Sequence, residues 1–143
     1  MEKLQINNIG EDFVLRKDNN FRSEVQETMT NIVNLAFKLY GSNIEFLHNK
    51  IIQLRINNDW KLHFRLTQPI NIQGMFTLRS EITFIYSSLC IFYSTSDFLT
   101  VENDELWISY INPKENYEQS CVRWKKQLND LESFLLQKKL EIC

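Results

Sequence analysis

The chain has 143 residues, of which 43% are hydrophobic and 24% charged, so it can bury the core of one domain, residues 1–143, without disulfides. Its net charge of -2 excludes a generic basic coating, and any polyanion site must be a local patch. The three glycines, Gly10, Gly41 and Gly74, lie far apart, which argues against glycine-rich phosphate loops and nucleophile elbows.

The cysteines and histidines are too few and too scattered to predict a metal site or another cofactor. The three cysteines form no C-x-x-C pair, and there are two histidines: Cys90, Cys121, Cys143, His48 and His63. The chain starts without an apolar segment after basic residues, and the longest apolar run, residues 82–93, is too short to span a bilayer. We expect a cytoplasmic protein that does not enter a membrane.

The first strong signal in chain order is an amphipathic helix at about residues 20–40. Residues 1–20 predict one weak strand and an entry loop. Apolar residues then recur at steps of three and four from Val25 to Tyr40. Ser23 and Gln26 have capping-box spacing, and Gly41 stands where a left-handed C-cap residue would end the helix.

Residues 43–111 predict strands throughout, and residues 51–66 form the clearest hairpin. A three-residue loop at 57–59 pairs Leu54 with Leu62 and keeps apolar side chains on one face. A two-residue turn would mix the faces, because a one-residue slip flips every side chain. The three-residue loop sets Arg55 beside Lys61 and Gln53 beside His63, so the hairpin has one dry face and one basic face.

The strands after Gly74 are predicted to lie at the centre of the sheet. Residues 75–93 are rich in β-branched and aromatic residues, which favours burial on both faces, and Ser87-Ser88 could lie in a turn or inside a strand. A second hairpin is predicted from FLTV-ENDE-LWISYI, and its acidic tip is either a two-residue turn at Asn103-Asp104 or a four-residue loop from Glu102 to Glu105. It pairs Val101 with Leu106 and Leu99 with Ile108.

A second helix is predicted at about 113–139. Asn112, Pro113 and Glu115 fit N-cap, N1 and N3 of a capping box. One apolar stripe follows at steps of four and three: Tyr117, Cys121, Trp124, Leu128, Leu131 and Leu135. The fold class is therefore α+β, a mainly antiparallel sheet of about 5–7 strands with both helices packed on one face.

Two charged patches are candidate sites. The first is a basic ribbon on one strand face, composed of Arg55, Lys61, His63 and Arg65. It could contact phosphates or an acidic surface. It could equally be a solvated sheet face neutralised by Glu45 or Glu81 on neighbouring strands. The aromatic residues of this hairpin point the other way, which argues against base stacking.

The second patch is the acidic tip with nearby tryptophans: Asp97, Glu102, Asp104, Glu105, Trp107 and, near the first hairpin turn, Trp60. It lacks the spacing and the glycine of a calcium loop. It could dock a basic protein, with carboxylates steering the encounter and a tryptophan as anchor, or it could be a solubilising loop. Trp124 keeps the phase of the helix stripe and is predicted to be core.

The leading functional hypothesis is a non-enzymatic protein-binding module that masks a partner, such as an immunity protein, an inhibitor or a chaperone-like factor. The alternative is a nucleic-acid-binding protein that uses the basic ribbon. An enzyme dependent on His63 is a third hypothesis. An exposed sheet edge would also allow a homodimer.

Overall fold

A computed structural model describes residues 15–48, 51–66, 80–87, 89–95, 103–109 and 114–142. The described chain contains two helices, a 3-10 turn at Gly41–Asn43 and seven strands. The helices are α1 (Asn19–Tyr40) and α2 (Tyr117–Ile142). The strands are β1 (Leu15–Lys17), β2 (Glu45–His48), β3 (Ile51–Arg55), β4 (Trp60–Leu66), β5 (Ser80–Tyr86), β6 (Leu89–Thr95) and β7 (Asn103–Ser109).

The strands form one antiparallel sheet in the order β1-β7-β6-β5-β4-β3-β2. Strands β2 to β7 follow one another as a meander, and β1 joins at the outer side of β7. The predicted α+β class, with an N-terminal helix, a long C-terminal helix and a mainly antiparallel sheet, is confirmed. The two edges of the sheet in the described residues are β1 and β2.

Helix α1 crosses the sheet from the β1 edge towards the β2 edge. It contacts β7, and the 3-10 turn after it contacts β3. Its 22 residues extend about 33 Å at 1.5 Å per residue. Seven strands spaced about 4.8 Å apart are about 29 Å across, so one helix of this length covers the width of the sheet.

The ends of α1 differ from the predicted caps. The N-cap is Asp18, whose carboxylate accepts from the Phe21 N–H at 2.7 Å, whereas Ser23 lies inside the helix and donates to the carbonyl groups of Asn19 and Asn20. The prediction of Ser23 as a cap is therefore wrong. Gly41 has φ -60°, which continues the right-handed conformation into the 3-10 turn, so the left-handed C-cap is also wrong.

Helix α2 begins at Tyr117, four residues after the predicted start. A capping box does precede it, but its members are Asn116 and Gln119: each side chain bonds the backbone N–H of the other, at 2.8 and 2.9 Å. Glu115 lies before the helix, while Asn112 and Pro113 are outside the described residues. The predicted stripe is confirmed as the buried face of the helix at Trp124, Leu128, Leu131 and Leu135.

The first hairpin has the predicted register. Leu54 pairs with Leu62, Arg55 with Lys61 and Gln53 with His63 across β3 and β4. The Asn57 side chain closes the three-residue loop by accepting from the backbone N–H groups of Asp59 and Trp60, at 2.8 Å each. The predicted three-residue loop is confirmed.

The predicted second hairpin does not form, because β7 pairs with a different strand. Leu106 pairs with Tyr93, and Ile108 pairs with Ile91, so β7 is the partner of β6. Asn103 and Asp104 lie within β7 instead of forming a turn. The apolar run of β6 suits β7 as well as the apolar run at residues 99–101 would. Residues 96–102 are outside the described residues.

One hydrophobic core lies between the sheet and the two helices. Trp124 of α2 packs edge-on against Trp60 of β4 at 5.9 Å between ring centroids, and Phe37 of α1 lies 4.9 Å from Phe64. The opposite face of the central strands is also buried, at Thr83, Ile85 and Cys90, which confirms the prediction of burial on both faces. Ser87 has φ 57° and forms the turn between β5 and β6.

Candidate functional site

The basic ribbon lies on the outer sheet face, away from the helices, and carboxylates of neighbouring strands pair with it. Arg55 Nε lies 3.5 Å from Glu45 Oε1 of β2, and Arg65 Nη1 lies 3.9 Å from Glu81 Oε1 of β5. Three cationic side chains, those of Arg55, Lys61 and Arg65, therefore face two carboxylates. With His63 neutral, the ribbon carries a net charge close to +1 instead of +3.

His63 is held neutral by its surroundings. Burial lowers the pKa of His63 to about 4; the charge of Lys61 adds to this effect, and the charge of Glu45 opposes it. At neutral pH the ring therefore adds no charge to the ribbon. It is a half-buried polar group and not a cation that a phosphate could use.

A chain of hydrogen bonds fixes the tautomer of His63. Glu45 Oε2 can only accept, so Gln53 donates to it through its amide nitrogen at 3.1 Å. Oε1 of Gln53 then faces His63 Nε2 at 2.6 Å. Because an amide oxygen only accepts, Nε2 carries the proton and Nδ1 is the unprotonated nitrogen. This chain joins the edge strand β2 to β3 and β4.

Of the predicted partner-binding residues, only Trp60 and Trp107 have described side chains. Trp60, one of the candidate anchors, is only 5% exposed, with its ring 5.0 Å from that of Tyr86, so its side chain is not accessible to a partner. It lies in the core because it follows the turn on the dry face of the hairpin, in phase with Leu62 and Phe64.

The acidic group is divided between β7 and residues outside the description. Asp104 and Glu105 belong to β7, whereas Asp97 and Glu102 are not described. Trp107 of the same strand is half-buried and already takes part in an intramolecular interaction. The described residues therefore do not present an acidic hairpin tip with an exposed tryptophan beside it.

A polar cluster that the sequence analysis missed lies where the two helices begin. Oδ2 of Asp18 accepts from the Tyr117 hydroxyl at 2.6 Å and from the Cys121 thiol at 3.8 Å. The cluster borders a surface cleft of about 760 Å³ between the start of α1 and the first half of α2. No spacing rule connects Asp18 with Tyr117, because the two lie 99 residues apart.

The two described cysteines are poor nucleophiles. Burial raises the pKa of Cys90 to about 12 and that of Cys121 to about 11, so both thiols are protonated at neutral pH. Within the described ranges, no group of three or more His, Cys, Asp or Glu side chains is placed to hold a metal ion.

The exposed apolar side chains are concentrated on two elements. Among the described residues, six large hydrophobic side chains are exposed, and five of them lie on β2 or on the last two turns of α2. We name these five the β2-end surface: Phe46, Leu47, Leu136, Leu140 and Ile142. The sixth, Val122, lies near the start of α2.

The two parts of the β2-end surface lie at the same end of the molecule. Glu24 bonds Lys125 at 3.2 Å, and Asn31 bonds Glu132 at 2.8 Å, so the contacts keep a constant offset of 101 residues over seven residues of each helix. The helices therefore run parallel and side by side. Extending the offset places Leu140 beside Leu39, just before α1 passes through the 3-10 turn into β2.

The sequence contains a weak signal for this surface. Leu136 and Leu140 lie outside the stripe that contains Leu131 and Leu135, and both are apolar on a helix face that the core does not need. Phe46 and Leu47 stand in a short segment, EFLH, whose edge position follows only from the strand order. These residues carry neither charge nor an indole ring, so they fall outside both predicted patches.

Comparison with protein-family models, with curated proteins and with solved structures found no match to the chain. Neither α1 nor α2 in the described chain is both long enough and apolar enough to cross a membrane.

Proposed function

We propose that the protein is a non-enzymatic protein-binding module of the immunity-protein, inhibitor or chaperone-like kind, and that it contacts its partner through the β2-end surface. One observation carries this proposal: Phe46, Leu140 and Ile142 are each more than half exposed at one end of the molecule, whereas most other large apolar side chains that the structure describes are buried. Exposed apolar groups that cluster in this way are typical of protein contact sites.

The distribution of charge is compatible with such a contact. Lys138 and Glu141 pair with each other at 3.6 Å on the last turn of α2, and Glu45 pairs with Arg55 beside β2. The apolar side chains are thus bordered by charged groups that already have partners of opposite sign. An apolar centre with a polar rim is the usual composition of a protein interface.

The test compares two substitutions at equally exposed positions of the same helix. Leu140 and Val122 are both 71% exposed, and 18 residues of helix separate them by about 27 Å. We expect Leu140→Asp to abolish capture of the partner from a native lysate by the tagged protein, because a carboxylate would be buried in the contact. Val122→Asp, the matched control, should capture the partner as the wild type does.

The lysate is treated with nuclease, so that proteins held only through nucleic acid are lost. Circular dichroism of both variants checks that they remain folded. Equal loss of capture in the two variants, or retention in both, would contradict a contact at the β2 end.

The alternative function is nucleic-acid binding through the basic ribbon. Its strength depends on the net positive charge that remains after Glu45 and Glu81 pair with the ribbon. A net charge near +1 can neutralise about one phosphate, so the logarithm of affinity should fall with that of salt with a slope of only about -1. Lys61→Ala should reduce this slope to near zero. A slope of about -3 or steeper, measured by fluorescence anisotropy with a labelled oligonucleotide, would favour the ribbon over the β2-end surface.

A further inference from the structure

We infer that the β2-end surface is also self-complementary, and that in the absence of another partner two copies of this chain pair antiparallel through β2. The inference rests on the proposed contact role of this surface and names one occupant for it. The second copy and a different partner would then compete for the same side chains.

Within the described residues, strand β2 is an open edge of the sheet. It ends the strand order of the sheet, and all four of its residues are exposed, with Phe46 at 57% and Leu47 at 50%. The strand is short and irregular, which limits pairing, but it contains neither proline nor lysine, two residues that protect a sheet edge. The edge is therefore chemically able to accept another strand.

An irregularity in β2 brings its two polar residues to one face. Phe46 pairs with Ile52 and His48 pairs with Ile51, so Leu47 is an extra residue in the strand. Because Glu45 pairs with Gln53, and Ile51 and Gln53 share the outer face, Glu45 and His48 both lie on the outer face. In a regular strand, residues three apart would point to opposite faces.

This arrangement fits a two-fold axis perpendicular to the sheet and close to Phe46 and Leu47. Directly opposite residues in an antiparallel pair share a face. Glu45 of one copy would therefore lie opposite the partner's His48, and the symmetry would repeat the pairing on the other side of the axis. A carboxylate and an imidazole can share a hydrogen bond, so the edge matches its own charge pattern.

The helix side of the sheet supplies the apolar part of the same contact. Phe46 lies opposite Ile52, a core residue, and so it is on the face that carries the helices. A two-fold axis perpendicular to the sheet keeps both helical layers on that face. The ends of the two α2 helices would then approach each other above the joined edges, with Leu136 and Leu140 between them.

The predicted dimer is weak. Only four residues form β2, and one of them is the extra residue, so few backbone hydrogen bonds can form across the axis. Small interfaces of this kind belong to the transient class, and we expect a dissociation constant of about 10–100 µM. A weak dimer can be displaced by a partner that binds the same surface more tightly.

The test is sedimentation velocity of the purified full chain over a concentration range from about 1 to 500 µM, which brackets the expected constant. The wild type should pass from monomer to dimer. Leu140→Asp and Phe46→Asp should each weaken the dimer at least tenfold, while Val122→Asp should sediment as the wild type does. His48→Glu should also weaken it at least tenfold, because it places a carboxylate opposite the partner's Glu45.

Three results would overturn the inference: a monomer at all concentrations, equal weakening by Val122→Asp, or an unchanged dimer in His48→Glu. A monomeric wild type whose capture of a lysate partner is lost in Leu140→Asp would refute the dimer alone and leave the proposed function in place. A dimer that Leu140→Asp dissociates, without any change in capture, would refute the proposed contact site and support the self-pairing.

Discussion

The two edges of the sheet differ in their side chains: polar contacts tie the β1 edge to the helices, whereas the β2 edge exposes apolar side chains. At the β1 edge, one residue joins three elements: the Asp18 backbone N–H donates to Leu106 of β7 at 2.9 Å, while its carboxylate caps α1 and accepts from Tyr117 of α2. Nearby, Glu115 holds Arg123 through two bonds of 2.8 and 2.9 Å. At the β2 edge, the side chains of Phe46 and Leu47 are exposed.

The difference separates stability from binding. Directional bonds at the β1 edge fix where both helices begin, and the buried stripes of the helices then determine how they lie on the sheet. The far ends of the helices need no comparable polar anchor, because parallel packing carries them to the β2 edge. That edge can keep apolar side chains exposed without loss of the fold, and a substitution there should affect association far more than unfolding.

The largest effect on stability is expected from Asp18→Ala. The substitution removes an N-cap and leaves the half-buried Tyr117 hydroxyl without its acceptor. A cap is worth about 1 kcal/mol, and a hydrogen bond to a charged group about 1.5–3 kcal/mol, so the free energy of unfolding should fall by about 2–4 kcal/mol. Urea unfolding followed by circular dichroism measures this change.

Asp130→Ala is the matched control for that experiment. Asp130 pairs with Lys126 at 3.0 Å within α2, and both side chains are largely exposed. Its loss should change the free energy of unfolding by no more than about 0.5 kcal/mol. Comparable destabilisation by the two substitutions would show that Asp18 is not a special anchor of the β1 edge.

The register of the first hairpin could be predicted from sequence because only one loop length kept its faces separate. Leu54 and Leu62 share a face with a three-residue loop and not with a two-residue loop, and the structure has that pairing. The second hairpin lacked such a constraint. Val101 with Leu106 is an apolar pair, but Tyr93 with Leu106 is one as well, so local pattern could not choose between two partners for β7.

The N-terminal cap of α1 was predicted wrongly for a related reason. Asp18 and Ser23 both carry oxygen atoms suitable for a cap, and the capping-box spacing favoured Ser23. The contacts that favour Asp18 come from Leu106 and Tyr117, each more than 85 residues away, and helix periodicity does not report them. Burial of Trp60 could have been predicted, since it continues the apolar alternation of its strand.

A smaller effect is expected at His63, whose chain of hydrogen bonds adds a side-chain link between β2 and the neighbouring strands. The pKa of His63 is lowered from 6.5 in a model compound to about 4, so the unfolded state binds more protons between these values. The stability of the wild type should therefore fall as pH decreases from about 6.5 to 4. In His63→Gln the free energy of unfolding should fall by about 1 kcal/mol less than in the wild type over this pH range. The value is small because the ring is partly exposed.

The comparison must subtract the other acid-sensitive groups. The hydrogen bond from Arg123 lowers the pKa of Glu115, so this carboxylate also destabilises the fold when it is protonated, but it does so equally in both proteins. The difference in unfolding free energy between wild type and His63→Gln, measured from pH 4 to 7, isolates the contribution of the imidazole.

Lys61→Gln should raise the pKa of His63 in an NMR titration, because the charge of Lys61 helps to lower it. A measured pKa near 6.5 in the wild type would mean that the hydrogen bonds from Glu45 through Gln53 do not hold the His63 ring as described. Strand β2 would then lack this side-chain attachment on its outer face, in addition to the exposure of its helix side.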